Sequence, residues 1–191
     1  MICFFKFIYE TLKKKIINQK QLVFIKKNFP SVAIENNVHF KGNPRNLVLG
    51  NKVVFQTGTV IHLGGMKWCD YKGYLEIGDE SVISPNCVIY ATGPGGIKIG
   101  KRFDCGPGVG IFASRTDYAK NMHHHIFAPV LIGDDVTVYA NAVISLDVKI
   151  GDGAVVAAGA IVINDVRKNT LVGGIPAVIL REGIKKKNVR N

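Results

Sequence analysis

Three of the five histidines stand side by side, His123, His124 and His125, in the polar segment Ala113–Pro129. Imidazole titrates near neutral pH, so a positioned histidine can take a proton from a hydroxyl and pass it on. The same segment holds Asp117, a carboxylate able to orient a histidine, to meet a substrate or simply to close a solvated turn. Three consecutive side chains do not easily reach one ion, and Cys3, Cys69, Cys87 and Cys105 lack paired ligand spacing, so no metal is expected. The bland alternative for the histidine triplet is a solvated loop. His39 and His62 read as structural, although His62 stands at a break in the pattern and could line a cleft.

The elements that must position this segment follow a period of six. Ile132-Gly-Asp-Asp-Val-Thr, Val138-Tyr-Ala-Asn-Ala-Val, Ile144-Ser-Leu-Asp-Val-Lys, Ile150-Gly-Asp-Gly-Ala-Val and Val156-Ala-Ala-Gly-Ala-Ile run on without a break. The first place is always Ile or Val, the fifth Val or Ala. A helix repeats every 3.6 residues and a strand every two, so neither gives this phase. Short strands joined by tight corners do, three to a triangular coil, with 132 and 150 stacked as equivalents. Earlier hexads start at Leu49, Phe55, Ile77, Ile83, Ile99 and Cys105. Three interruptions separate them, at 62–76, 90–98 and 112–131. Ile34 to Val38 reads as a degenerate capping coil. The coils are packing, and an interruption is where a solenoid places its function. Cys87 and Cys105 fall on core places and read as small apolar residues. Ser84 and Asn86, in a loop-flanked hexad, could meet a substrate or serve a turn.

The chain has 191 residues, 47% of them hydrophobic, and a formal charge of +11. That charge sits at the ends. Residues 1–31 hold seven lysines against Glu10, and residues 181–191 hold Arg181, Lys185, Lys186, Lys187 and Arg190 against Glu182. The middle is close to neutral. Basic ends on a neutral body point to a membrane surface or an acidic ligand, and no nucleic-acid-binding signature is present. Phe5, Ile8, Leu12 and Ile16 lie at helical spacing, which predicts an amphipathic helix over 2–17 that meets either protein or membrane. Met1 to Phe7 is too short to span a bilayer and lacks a cleavage site. The expected organisation is therefore an N-terminal helix in 1–31, a solenoid over 32–180 and a basic tail over 181–191. The expected location is cytoplasmic, possible contact with the inner membrane surface included.

The Ile-Gly-Asp hexads, the long loop before Pro129-Val-Leu-Ile-Gly-Asp-Asp, the coil Val155–Val162 and the ending Gly173-Gly-Ile-Pro-Ala-Val-Ile179 together resemble the hexapeptide-repeat acyltransferases. The most similar branch contains maltose and galactoside O-acetyltransferases and polysaccharide O-acetyltransferases. The resemblance implies an all-β fold, a left-handed parallel β-helix with a short N-terminal helix. It implies a homotrimer with acetyl-CoA in a groove between subunits, and a role in polysaccharide biosynthesis. By position, Ala140, Ala158, Ile163, Asn164 and Arg181 match the CoA-lining places. The family's Thr-Lys pair is Ile163-Asn164 here, and the Asn and basic residue of its ending are Ile175 and Val178. The family's catalytic histidine follows the start of the long loop, where this chain has Thr116. The base then falls to His123, His124 or His125, with a preference for His125, which lies closest to the resuming coil. His62 is next in line.

The resulting expectation is an acetyl-CoA-dependent O-acetyltransferase acting on a sugar or glycan hydroxyl, with Ser84, Asn86 and Asp117 as acceptor contacts. The alternatives are N-acetylation of an amino sugar and a zinc enzyme like the γ-type carbonic anhydrases, which share the coil. A non-catalytic scaffold docking through its basic ends is the remaining class.

Overall fold

A computed structural model describes residues 2–120 and 122–184, apart from the side chains of 2–8, 10 and 14. The expected tail Lys185–Lys187 and Arg190, and the Phe5 and Ile8 side chains of the expected amphipathic face, lie outside the described residues. A helix, α1 (Ile2–Asn28), leads into a parallel β-helix of short strands. It extends well past the 2–17 expected from the periodicity. The added length is held by packing: Ile25 is fully buried, and the Gln21 side chain donates to the Gly42 carbonyl at 2.7 Å. Asn18 also bonds the first coil, donating to the Val38 carbonyl and accepting from the Phe40 N–H.

The strands stack into three faces. The first face carries Ala33–Ile34, Val54–Phe55, Val82–Ile83, Asp104–Cys105, Thr137–Val138, Val155–Val156 and Leu171–Gly173, all parallel, with Val178–Arg181 added antiparallel at its end. The second carries His39–Gly42, Val60–Leu63, Val88–Tyr90, Gly110–Phe112, Val143–Ile144 and Ile161–Val162. The third carries Leu47–Leu49, Leu75–Ile77, Ile97–Ile99, Val130–Ile132 and Val148–Ile150. Register follows the hexads, with Ile132 on Ile150, Val138 on Val156 and Ile144 on Val162. First-place and fifth-place residues from 132 to 162 are all buried. Each fully buried Ile or Val removes apolar surface worth about 1.5–3 kcal/mol from water. Cys87 and Cys105 belong to this core, their Sγ atoms 3.7 Å apart. The stack does not end at Val162, since Val166 bridges to Ile150 and Leu171–Gly173 extends the first face.

The core also takes a few polar side chains, Ser81 among them. Ser81 occupies a fifth place and is fully buried. Its Oγ donates to the Gly78 carbonyl at 2.9 Å and accepts from the Phe103 N–H at 3.1 Å. The serine thus replaces apolar packing by tying two coils together at a corner. Ser81→Ala strands the Phe103 N–H in the core, at a cost of about 1–3 kcal/mol. Thermal unfolding of this variant should show Tm lowered by roughly 2–4 °C per kcal/mol. An unchanged Tm would mean the corner does not depend on this bond.

Candidate active site at one corner of the coil stack

The three interruptions leave the β-helix at the same place. They follow Val60–Leu63, Val88–Tyr90 and Gly110–Phe112, which are neighbours on the second face, and precede the matching strands of the third. Fixed register leaves inserted residues only a corner from which to project. Alternation along these strands turns Ile61, Ile89 and Ile111 into the core. It turns His62, Tyr90 and Phe112, which align across the strands, the other way. The loops interlock above that row. Gly93 N–H donates to the Lys72 carbonyl at 2.9 Å, and the Thr92 and Ser114 hydroxyls are 2.7 Å apart. A Cβ on Gly93 would run into the Phe127 ring, so only glycine lets the second loop pass under the third.

The third loop is a hairpin. Ser114–Thr116 pairs antiparallel with His125–Phe127, setting Thr116 opposite His125. The position matching the family's histidine and the preferred replacement therefore face each other across one ladder. The His125 ring lies 4.8 Å from the Trp68 ring, and Phe127 lies 6.1 Å from His125. His125 is half-buried, whereas His123 and His124 are exposed. The ring nitrogens of His125 have no hydrogen-bond partner among the described residues. What fixes the ring is Trp68 from the first loop, together with Phe127.

The His62 ring also meets Trp68, 5.8 Å from the indole, and lies 5.0 Å from Tyr90. It is 5% exposed. Burial first, then the charge of its cross-strand neighbour Lys41, hold its pKa below the usual histidine value. The Gly64 N–H donates to Nδ1 at 3.3 Å, so Nδ1 is the unprotonated nitrogen and Nε2 carries the hydrogen. In this tautomer His62 is a donor, poorly suited to accept a proton from a substrate.

The other expected site residues are dispersed. The Asp117 carboxylate accepts from the Ala119 N–H at 3.1 Å and lies 3.8 Å from the Lys120 ammonium. Its own N–H donates to the His124 carbonyl, so it closes the tip of the hairpin. Ser84 and Asn86 occupy the corner before Val88, at the opposite end of that strand from Tyr90. Asn86 has φ +58° and stacks between Gly58 and Gly108, both also at positive φ. That column is a corner device, and within one chain it lies at the other corner of the second face from the histidine loop. Ala140 and Ala158 are stacked at this same corner higher up, the Gly159 N–H donating to the Ala140 carbonyl. Ile163 and Asn164 are exposed just after Ile161–Val162, and Arg181 is exposed at the end of the antiparallel strand. His39 is exposed on the first coil. Trp68, Tyr90, Phe112 and Phe127, which wall the site, were not among the sequence candidates. The available signal was that Tyr90 and Phe112, like His62, each follow a hexad isoleucine. Among the described residues no three His, Cys, Asp or Glu side chains gather as a metal site.

Comparison with known proteins gives the class. The family model for the bacterial transferase hexapeptide (six repeats) matches residues 129–164. The hexapeptide-repeat containing acetyltransferase VCA0836 from Vibrio cholerae is 33% identical, with 74% of this chain and 75% of that one covered and a TM-score of 0.61. Its complex with acetyl coenzyme A aligns at 27% identity over 91% and 84% of the two chains, with a TM-score of 0.56. AntD, an N-acyltransferase from Bacillus cereus solved with dTDP and 3-hydroxybutyryl-CoA, shares the fold at 21% identity, with 90% of each chain covered and a TM-score of 0.74. The coils described above are thus those of a left-handed parallel β-helix transferase. The chain belongs to the hexapeptide-repeat acyltransferase family, and its class of activity is acyl transfer.

The protonation state of His62 has a measurable consequence. Its folded pKa is lowered from 6.5, so above 6.5 both folded and unfolded chains hold it neutral. As pH falls below 6.5 the unfolded chain takes up the proton first, and the fold loses stability until pH passes the folded pKa, where the loss levels off. His62→Gln should therefore flatten the acid limb of a Tm-against-pH curve taken from about pH 7.5 to about pH 5. An identical slope in both proteins would show that His62 is not held neutral.

Proposed function

We propose that this chain transfers the acetyl group of acetyl-CoA to a hydroxyl of a sugar or glycan, with His125 as general base. The observation that carries this reading is the half-buried His125 ring, set against Trp68 where three loops converge, with no hydrogen-bond partner to its nitrogens among the described residues. One ring nitrogen takes the hydroxyl proton as the oxygen attacks the thioester carbonyl. The tetrahedral intermediate collapses with cleavage of the C–S bond, and the imidazolium returns its proton to the leaving thiolate. Backbone N–H groups of the loops would meet the oxyanion. His62, a buried Nε2 donor that also packs against the indole, suits hydrogen bonding to the acceptor better than proton abstraction.

Acetyl-CoA is the proposed acyl donor, as in the VCA0836 complex. The proposed lining is Ala140, Ala158, Ile163, Asn164 and Arg181, the first four through backbone and shape. Ala140 and Ala158 stand at one end of the second face, and Ile163 and Asn164 at the other. A pantetheine on one chain would have to cross that face to meet them all, whereas neighbouring chains can bring two corners together. This supports the homotrimer with a shared groove. The division 1–31, 32–180 and 181–191, and a place in polysaccharide biosynthesis, belong to the same reading. An amino-sugar acceptor, as bound by the N-acyltransferase AntD, remains the second reading. An uncharged amine is already nucleophilic and asks less of an imidazole, so the positioned His125 favours a hydroxyl.

His125→Ala should lower kcat by roughly two to four orders of magnitude while leaving CoA affinity nearly intact. His123→Ala and His124→Ala should stay within a few-fold of the parent. Free-thiol release with panels of sugar and amino-sugar acceptors, alongside sedimentation of each variant, is the measurement. Near-normal turnover in His125→Ala would move the base elsewhere, and an active monomer would reject the shared groove.

A further inference from the structure

The far side of α1 (Ile2–Asn28) offers a surface that the proposed acetyl transfer does not use. At about 100° per residue, Asn18, Gln21 and Ile25 fall together on the face against the first coil. Tyr9, Leu12, Ile16 and Val23 fall on the opposite side, within roughly 60° of one another. All four are exposed, from 53% for Leu12 to 66% for Val23. The helix thus has one apolar face satisfied by the fold and a second left open to solvent. Exposed lysines flank the open face: Lys13, Lys20 and Lys27 along one edge, Lys15 and Lys26 along the other. The Lys13 ammonium sits 6.0 Å over the Tyr9 ring. No helix among the described residues is long and apolar enough to cross a membrane.

We propose that this face of α1 lies on an anionic lipid surface, with Tyr9, Leu12, Ile16 and Val23 entering the headgroup boundary and the lysines meeting lipid phosphates. The charge pattern selects the occupant. A second copy docking through the same stripe would set lysine edge against lysine edge, with like charges at the seam. A bilayer carrying acidic headgroups supplies both an apolar layer for the stripe and the opposite charge for its flanks, and long lysine stems reach outward from such a position. Lying there would carry the β-helix to a surface where lipid-linked acceptors are concentrated.

The test is co-sedimentation of the full chain with vesicles of phosphatidylcholine alone and of an equimolar mixture with phosphatidylglycerol, at low and high salt. The mixed vesicles should bind the chain, pure phosphatidylcholine should bind it far less, and salt should release it. Lys13→Glu/Lys20→Glu/Lys27→Glu should weaken binding at least about a hundredfold. Leu12→Ser/Ile16→Ser should weaken it too without altering the sedimentation of the protein alone. Absence of binding to mixed vesicles at low salt overturns the proposal. So does an oligomer that falls apart in Leu12→Ser/Ile16→Ser, which would make the stripe a contact between copies. Circular dichroism of each variant separates loss of binding from loss of fold.

Discussion

The stacking of one hexad on the next is the constraint on which everything else in this molecule rests. Ile132 on Ile150, or Ile61 on Ile89 on Ile111, is an apolar contact repeated at fixed register along each face. A one-residue slip would turn a buried column outward and expose the core. Extra residues therefore cannot be absorbed within a strand. They must leave at a corner, and the interruptions of successive coils that leave at the same corner are stacked on one another. The site is a by-product of that rule, because three loops with no sequence similarity are brought together by the register of the strands beneath them.

The same rule explains why His62 and His125 stand in different surroundings. His62 belongs to a strand, so its backbone is fixed and its ring is roofed by the following loop, which buries it and ties Nδ1 to Gly64. His125 belongs to a hairpin that projects beyond the coils, so its ring packs against Trp68 and Phe127 and stays only half-buried. Burial and a backbone donor make the first a fixed neutral imidazole. Partial exposure and ring nitrogens without a partner among the described residues are what the proposed base requires. Thr116, which stands where the family has its histidine, is paired with His125 across one ladder.

The fold was legible because its period is unlike that of helix or sheet, and because Ile, Val and Ala recur at the first and fifth places with little noise. The corner roles of Asn86 and of its stacked glycines were legible only in part, since an asparagine in a turn and an asparagine facing a ligand look alike in sequence. Irregular loops carry no period, so the approach of Trp68 to His125 could not be read. The row His62, Tyr90 and Phe112 was within reach, given the phase of Ile61, Ile89 and Ile111. The length of α1 was hidden for another reason: Gln21 and Asn18 hold it to the first coil through polar contacts that hydrophobic periodicity does not register.

A crystal structure with CoA bound would locate the thiol relative to the loop corner. The pantetheine sulfur should lie beside the converging loops, within hydrogen-bond reach of a His125 ring either directly or through one water. A sulfur lying beyond the reach of every His125 in the assembly would contradict the proposed role of His125.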